Sequence, residues 1–257
     1  LANICWECSV DLGLHGRVAL VTGASSGIGA ATARLLAEEG ADVVVAFGHN
    51  EAGARQTATL IEAVGRRAWL CGFDVADAAA VATAIRAFGE QTGGFDVLIL
   101  CAGHNIVTPL ADISPEEWNR VIGVNLSGAF YTLRAAIPFL RDGAAVVTVA
   151  SVAAATGAPH HAHYAAAKAG LVNLTKSAAR ALAPRIRVNC VAPGIALTPM
   201  GRETVANLPP DYAREKLALQ RYAEPEEIAR CIVFLASPAA SFVTGATLDV
   251  NGGRDMR

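Results

Sequence analysis

From Arg17 onward, short runs of successive apolar and β-branched residues alternate with longer amphipathic or Ala-rich stretches. The runs predict strands at 17–22, 42–47, 67–73, 95–101, 143–150, 186–191 and 246–250, and the stretches predict helices near 27–39, 51–64, 77–92, 115–140, 162–183 and 225–236. Val43-Val44-Val45 and Val146-Val147-Thr148-Val149 are apolar on consecutive residues, the pattern of strands covered on both faces rather than one. Ser114-Pro115 supplies an N-cap and a first-turn proline for the fourth helix. Regular alternation of strand and helix is what βαβ crossovers require, so the expected fold is α/β: a doubly wound, seven-stranded parallel sheet with helices on both faces, in three layers. Residues 16–257 are expected to form one domain behind a tail at 1–15. The stretch 197–222 carries Pro199, Pro209, Pro210 and several charges, and reads as a lid over a substrate or as an ordinary surface loop.

Composition narrows the class. Hydrophobic residues make up 53% of the 257 and charged residues 17%, which excludes a disordered chain and favours burial between subunits as well as within one. A net charge of -2 without long charged runs leaves no electrostatic footprint for nucleic acid. The apolar runs are too short to span a bilayer and the first residues lack a signal-peptide pattern, so a cytoplasmic protein without a membrane partner is expected. Of the cysteines at 5, 8, 71, 101, 190 and 231, four fall in predicted strands or helices, which argues against a disulfide scaffold. Cys5 and Cys8 form a CxxC with no second pair to complete a zinc site.

The chemistry begins after the first strand, where Thr22-Gly23-Ala24-Ser25-Ser26-Gly27-Ile28-Gly29 leads directly into a helix. In this context Gly23 permits a tight turn, Gly27 lets the backbone approach a pyrophosphate, and Gly29 allows close helix packing. The helix N-terminus then offers unsatisfied N–H groups and a positive dipole end to phosphates. This is the strand–turn–helix setting of a Rossmann-type dinucleotide site.

Tyr164-Ala165-Ala166-Ala167-Lys168 sets a phenol and an ammonium four positions apart on one helical face. An adjacent ammonium and a cationic nicotinamide are expected to favour the phenolate and bring a pKa near 10 down. Ser151, thirteen residues earlier, ends the fifth strand, where open α/β sheets gather ligands. The GxxxGxG spacing, with Ser151, Tyr164 and Lys168, resembles the short-chain dehydrogenase/reductase family from about Gly16 to Gly253, and 3-oxoacyl carrier-protein reductases in particular around Val43 to Glu51 and Tyr164. The resemblance implies an NAD(P)(H)-dependent interconversion of a ketone and a secondary alcohol. In it Ser151 binds the substrate oxygen, Tyr164 exchanges the proton, Lys168 also holds the nicotinamide ribose, and Asn125 kinks a helix and supports a water chain from Lys168. It implies further that Asp74 and Val75 contact adenine, and that Pro193, Gly194, Ile195 and Thr198 hold the nicotinamide amide. Cys101-Ala102-Gly103 stands where the family has Asn-Ala-Gly, which removes an amide that ties neighbouring strands.

The end of the second strand reads Ala46-Phe47-Gly48-His49-Asn50, without the carboxylate that would repel a 2′-phosphate. His49, Asn50 and Ser25 could bind one, which favours NADP(H) while leaving NAD(H) open. His160, His161 and His163 precede or flank Tyr164 and read as substrate-pocket lining or as a solvent-facing turn, with no carboxylate or thiolate at metal-site spacing. The substrate stays open among 3-oxoacyl or polyketide carbonyls and sugars, steroids or small alcohols. A different class, a catalytically silent dinucleotide-binding regulator, shares the fold. The helices at 115–140 and 162–183 and the segment Thr244 to Val250 resemble the two interfaces of family homotetramers.

Overall fold

The computed structural model describes residues 11–256, so the Cys5–Cys8 pair lies outside the described residues. Seven parallel strands, β1 (Val18–Thr22), β2 (Asp42–Phe47), β3 (Ala68–Gly72), β4 (Phe95–Leu100), β5 (Leu140–Val149), β6 (Arg187–Pro193) and β7 (Thr247–Val250), form one sheet in the order β3-β2-β1-β4-β5-β6-β7. Helices α1 (Gly27–Glu38), α2 (Glu51–Ala63), α3 (Ala78–Thr92), α4 (Pro115–Ile122), α5 (Gly128–Ala136), α6 (Ala153–Thr156), α7 (Ala162–Leu182), α8 (Pro199–Ala206), α9 (Tyr212–Lys216) and α10 (Pro225–Ala236) complete the frame. Among the described residues no helix is long and apolar enough to cross a membrane.

Successive strand residues divide between two cores, as side chains of period two must. Ala19, Val21, Val43, Val45, Val97, Ile99 and Val147 join Leu36, Ile61, Ile228 and Ile232 of α1, α2 and α10 on one face. Val18, Leu20, Val44, Leu98, Leu100 and Val146 join Ile85, Leu133 and Leu171 of α3, α5 and α7 on the other. Leu14, which the sequence assigns to the tail, is 2% exposed and belongs to the first core.

Besides the short α6, which the sequence pattern does not predict, three elements differ from expectation. The helix foreseen at 115–140 is broken: α4 runs into a π-helical turn at Gly123–Ser127, α5 follows, and a 3-10 turn at Ile137–Phe139 leads into β5. A π turn continues the helical course of the chain with one extra residue per turn, and no proline marks the point where α4 gives way to it. Strand β5 begins at Leu140, ahead of the foreseen 143, because Leu140 pairs with Phe95 before the register shift on β4. The stretch 197–222 is not simply loop, since α8 and α9 lie within it, α8 started by Thr198 as N-cap with Pro199 in its first turn.

Candidate active site

Strand order reverses between β1 and β4, and the loops leaving these strands part to open a crevice at the carboxyl edge. The cleft there is about 580 Å³ and is lined from every strand exit that carries a motif. At its floor Gly23 has φ +68° and a Cβ would lie 2.9 Å from Cα of Ala102, while a Cβ on Gly29 would lie 2.2 Å from the Gly23 carbonyl oxygen. Both positions therefore require glycine, and together they bring the start of α1 up to the cleft. Ser26 caps α1 with extended backbone and no side-chain hydrogen bond, which leaves its hydroxyl free for a ligand. Ser25, Gly27 and Ile28 line the same wall.

Thr22 supplies a tie that the sequence did not credit. Its hydroxyl accepts the N–H groups of Cys101 (3.0 Å) and Ala102 (3.1 Å), so β1 and the exit of β4 stay joined although Cys101 stands where the family has Asn. Burial pushes the Cys101 thiol up to about 11, more than the Lys168 charge lowers it, so the group is a neutral thiol at physiological pH.

At the other end, Phe47 ends β2 and the exposed His49 follows it, and Asp74 and Val75 follow β3. The Asp74 carboxylate accepts from the N–H of Ala76 and from Arg120, each at 2.9 Å, and these bonds hold its pKa below the ordinary value. Asn50 lines the cleft with only part of its side chain committed, one Nδ2 hydrogen remaining for a ligand. It caps α2, its Oδ1 accepting from the N–H of Gly53 at 3.0 Å and its Nδ2 donating to the Ser25 carbonyl at 3.4 Å.

Ser151, Tyr164 and Lys168 converge where β5 ends and α7 begins. Lys168 is 3% exposed, donates from Nζ to the Val149 carbonyl at 2.8 Å, and lies 5.5 Å from the centre of the Tyr164 ring. Burial brings its pKa down to about 8. The Tyr164 phenol moves opposite to expectation. Burial pushes it up to about 12, and a hydrogen bond with Ser151 lowers it only in part. In the protein alone, loss of hydration, with the Cys101 thiol adding to it, outweighs what Ser151 contributes, and the phenol keeps its proton.

Asn125, fully buried in the π turn, donates from Nδ2 to the carbonyls of His104 (2.6 Å) and Val121 (2.9 Å) and accepts the His104 N–H at 3.3 Å. A Cβ on Gly103 would lie 3.1 Å from its Oδ1 and 3.6 Å from Lys168 Nζ, so the two side chains face each other across Gly103. Pro193 ends β6, Gly194 donates to the Val250 carbonyl at 3.0 Å, the Ile195 carbonyl accepts from Ala223, and the Thr198 hydroxyl accepts from Gly201.

The histidines separate. His163 lines neither a pocket nor a solvent-facing turn: it is fully buried, with Nε2 2.9 Å from Glu117 of α4 and Nδ1 accepting the backbone N–H of Tyr164 at 2.9 Å. Because Nδ1 accepts, Nε2 carries the proton and donates to Glu117. His161 does line the cleft, its ring 6.5 Å from that of Tyr164. Among the described residues no group of three His, Cys, Asp or Glu is placed to hold a metal ion. Sequence reasoning missed Asn105, Arg120, Met200, Thr204 and Arg254, which line the same cleft. His104 and Asn105 directly follow the Cys101-Ala102-Gly103 motif, whereas nothing in the sequence around Arg254 marks it.

A glycine-walled helix start, a cleft rich in cationic side chains, and a phenol–ammonium pair at one end suit a nicotinamide dinucleotide. The fold and site define an oxidoreductase of this cofactor class. The family model described as enoyl-(acyl carrier protein) reductase matches residues 23–255. The cis-4-hydroxycyclohexanecarboxylate dehydrogenase of Sinomonas cyclohexanicum is 45% identical over 92% of this chain and 96% of its own. A 3-oxoacyl-[acyl-carrier-protein] reductase of Staphylococcus aureus is 39% identical over 93% and 98%. A short-chain dehydrogenase from Burkholderia cenocepacia, solved in complex with NADP, superposes with a TM-score of 0.88 at 34% identity, covering 95% of this chain and 99% of that one. The chain belongs to the short-chain dehydrogenase/reductase family, and it is an NAD(P)-dependent oxidoreductase of carbonyl and alcohol groups.

Proposed function

We propose that this protein interconverts a ketone and a secondary alcohol with NADP(H) in preference to NAD(H), Tyr164 carrying the proton. The observation that supports it most is the convergence of three side chains on one cleft, Ser151, Tyr164 and Lys168, with the Lys168 ammonium 5.5 Å from the centre of the phenol ring. The pyrophosphate would sit at Gly23, Ser25, Ser26, Gly27, Ile28 and Gly29. Adenosine would be flanked by Phe47, His49, Asp74 and Val75, and the nicotinamide side held by Cys101, Ala102, Gly103, Pro193, Gly194, Ile195 and Thr198. When bound, the nicotinamide supplies or accepts a hydride and, oxidised, adds a positive charge that favours the phenolate.

The residues do the rest. Ser151 orients the substrate oxygen, and in the direction of reduction Tyr164 delivers the proton that its high pKa retains. Lys168, anchored on the Val149 carbonyl, holds the ribose and passes protons toward Asn125 and solvent. The preference for NADP(H) is supported by a cleft wall at 47–50 with an exposed His49 and no carboxylate, so nothing there repels a 2′-phosphate. The substrate is a small-molecule carbonyl or alcohol. Free Cys71, Cys101, Cys190 and Cys231 suit the reducing cytoplasm, and exposed apolar residues on α4, α5, α10 and β7 suit a homotetramer.

Purified protein should oxidise NADPH with an activated diketone, and Tyr164→Phe should lower that rate by about 10²- to 10⁴-fold, the contribution of general acid catalysis. A variant that retains the parent rate removes Tyr164 from the mechanism. Fluorescence titration should give a lower Kd for NADPH than for NADH, and the reverse order rejects the cofactor preference.

A further inference from the structure

The cleft has an uneven distribution of charge that the dinucleotide does not account for. Among its described lining residues the only carboxylate is Asp74, which lies at the adenosine end and is bound to Arg120. At the Tyr164 end the described lining holds His161 and Arg254 with no carboxylate beside them. We infer that this end is a subsite for an anion: Arg254, with His161 beside it, receives a carboxylate carried by the substrate away from its reacting carbon. The inference deepens the reaction proposed above and rests on it.

Arg254 is placed by the fold, although it is exposed. Asn251, 7% exposed at the end of β7, donates to the Asp255 carbonyl and accepts from the N–H groups of Gly253 (side chain) and Arg254 (backbone), so the turn that presents the guanidinium is closed on itself. Gly252 accepts the Leu219 N–H at 3.0 Å, which joins that turn to the segment after α9, and the guanidinium lies 5.9 Å from the Tyr212 ring on α9. The guanidinium is thereby held at the cleft wall near an aromatic ring, and its planar fork can bind a carboxylate with two parallel hydrogen bonds.

Two polar atoms are left without partners in the same region. His161 Nδ1 and Asn105 Oδ1 are buried and have no hydrogen bond among the described residues, a state that native proteins keep at few positions. Burial and the charges of His160, His163 and Arg254 lower the His161 pKa, so the ring is neutral at physiological pH and has one N–H to give. With that proton on Nδ1 it donates to an anion held by Arg254, and the Asn105 amide, turned over, offers a second donor. A neutral ketone would leave these groups unsatisfied. A keto acid completes them, with its acid group at Arg254 and its carbonyl toward Ser151 and Tyr164.

The test compares 4-oxocyclohexanecarboxylate with 4-oxocyclohexanecarboxamide, which differ in charge and scarcely in shape. The parent protein should prefer the carboxylate in kcat/KM, and Arg254→Gln should reduce the carboxylate-to-amide ratio by about 10- to 100-fold, the range of a charge-assisted bidentate pair. Arg254→Lys should restore part of it. An unchanged ratio in Arg254→Gln overturns the subsite while leaving the Tyr164 mechanism intact. If neither ketone is turned over, calorimetric titration of the NADP⁺-saturated protein with cyclohexanecarboxylate decides the matter: weaker binding to Arg254→Gln supports the subsite, and equal or absent binding overturns it.

Discussion

Lys168 is held in two roles that oppose each other. In the proposed mechanism its ammonium holds a ribose, yet it is buried against Val149 and Tyr164, and burial lowers its pKa from 10.5 to about 8. Between those values the unfolded chain binds a proton that the folded chain does not, so the Lys168 contribution to the stability of the free protein rises with pH across that window, while the buried Cys71 and Cys101 thiols, raised above their ordinary value of 9, act in the opposite direction. The full effect is on the order of 3 kcal/mol for a shift of this size. Tyr164 works in the other direction only above its ordinary value of 10, since its folded pKa of about 12 keeps a proton that the unfolded chain loses. Urea denaturation at pH about 8 and about 10 should therefore show the parent gaining stability relative to Lys168→Met, since the opposing thiols are common to both proteins. Equal pH dependence in the two would mean that Lys168 is hydrated rather than buried. The same desolvation explains why the pairing of Tyr164 and Lys168 could be read in the sequence and its electrostatic result could not. Spacing on a helix places two groups on one face, but the loss of hydration depends on what Val149, Cys101 and Ser151 bring from other strands.

The π turn at Gly123–Ser127 shows how one side chain reshapes an element. Asn125 is turned inward there, where it fixes the backbone of His104 through both its donor and its acceptor and also bonds Val121. Asn125→Ala should leave the His104 N–H and carbonyl without partners, lowering stability by about 1–3 kcal/mol. Hydrogen exchange should then report faster exchange of the His104 amide, and exchange at the parent rate would sink the assignment of Asn125 as the clamp on this loop. Elements with uniform local signals were legible in the sequence. Val43-Val44-Val45 could only be a strand covered on both faces, and the glycine turn before α1 announced its own geometry. The break in 115–140 was hidden because no proline of the kind that ends a helix stands at 123–127, and Asn125 was foreseen only through a family resemblance. Helix α8 was hidden for another reason: Pro199 reads as a breaker until Thr198 is seen to cap the turn that it starts. Arg254 left no signal at all, since its position follows from Asn251 and the segment after α9 rather than from its neighbours in sequence.

At the scale of the whole molecule, two sets of large apolar side chains remain in water after the sheet and its helices have closed. Trp118 and Phe130 are 40% and 43% exposed on α4 and α5, while Phe234, Phe242 and Leu248 are 41%, 103% and 37% exposed around α10 and the edge strand β7. An edge strand with unpaired backbone groups and a fully exposed phenylalanine beside it is the kind of surface that folded proteins cover. A patch that meets its own copy across a two-fold axis closes a dimer, and two independent patches of that kind close a tetramer with dihedral symmetry. The expected species is thus four copies of the 26.5 kDa chain. Light scattering should give that mass at micromolar concentration, and Phe130→Glu or Phe242→Glu alone should each leave a dimer, because each charge disables one contact and spares the other. The double variant should be a monomer. A parent protein that is already monomeric would refute the assembly, and a parent dimer abolished by one of the two substitutions would reduce it to a single interface. Either result leaves the site chemistry unaffected, since Ser151, Tyr164, Lys168 and Arg254 all belong to one chain and one cleft.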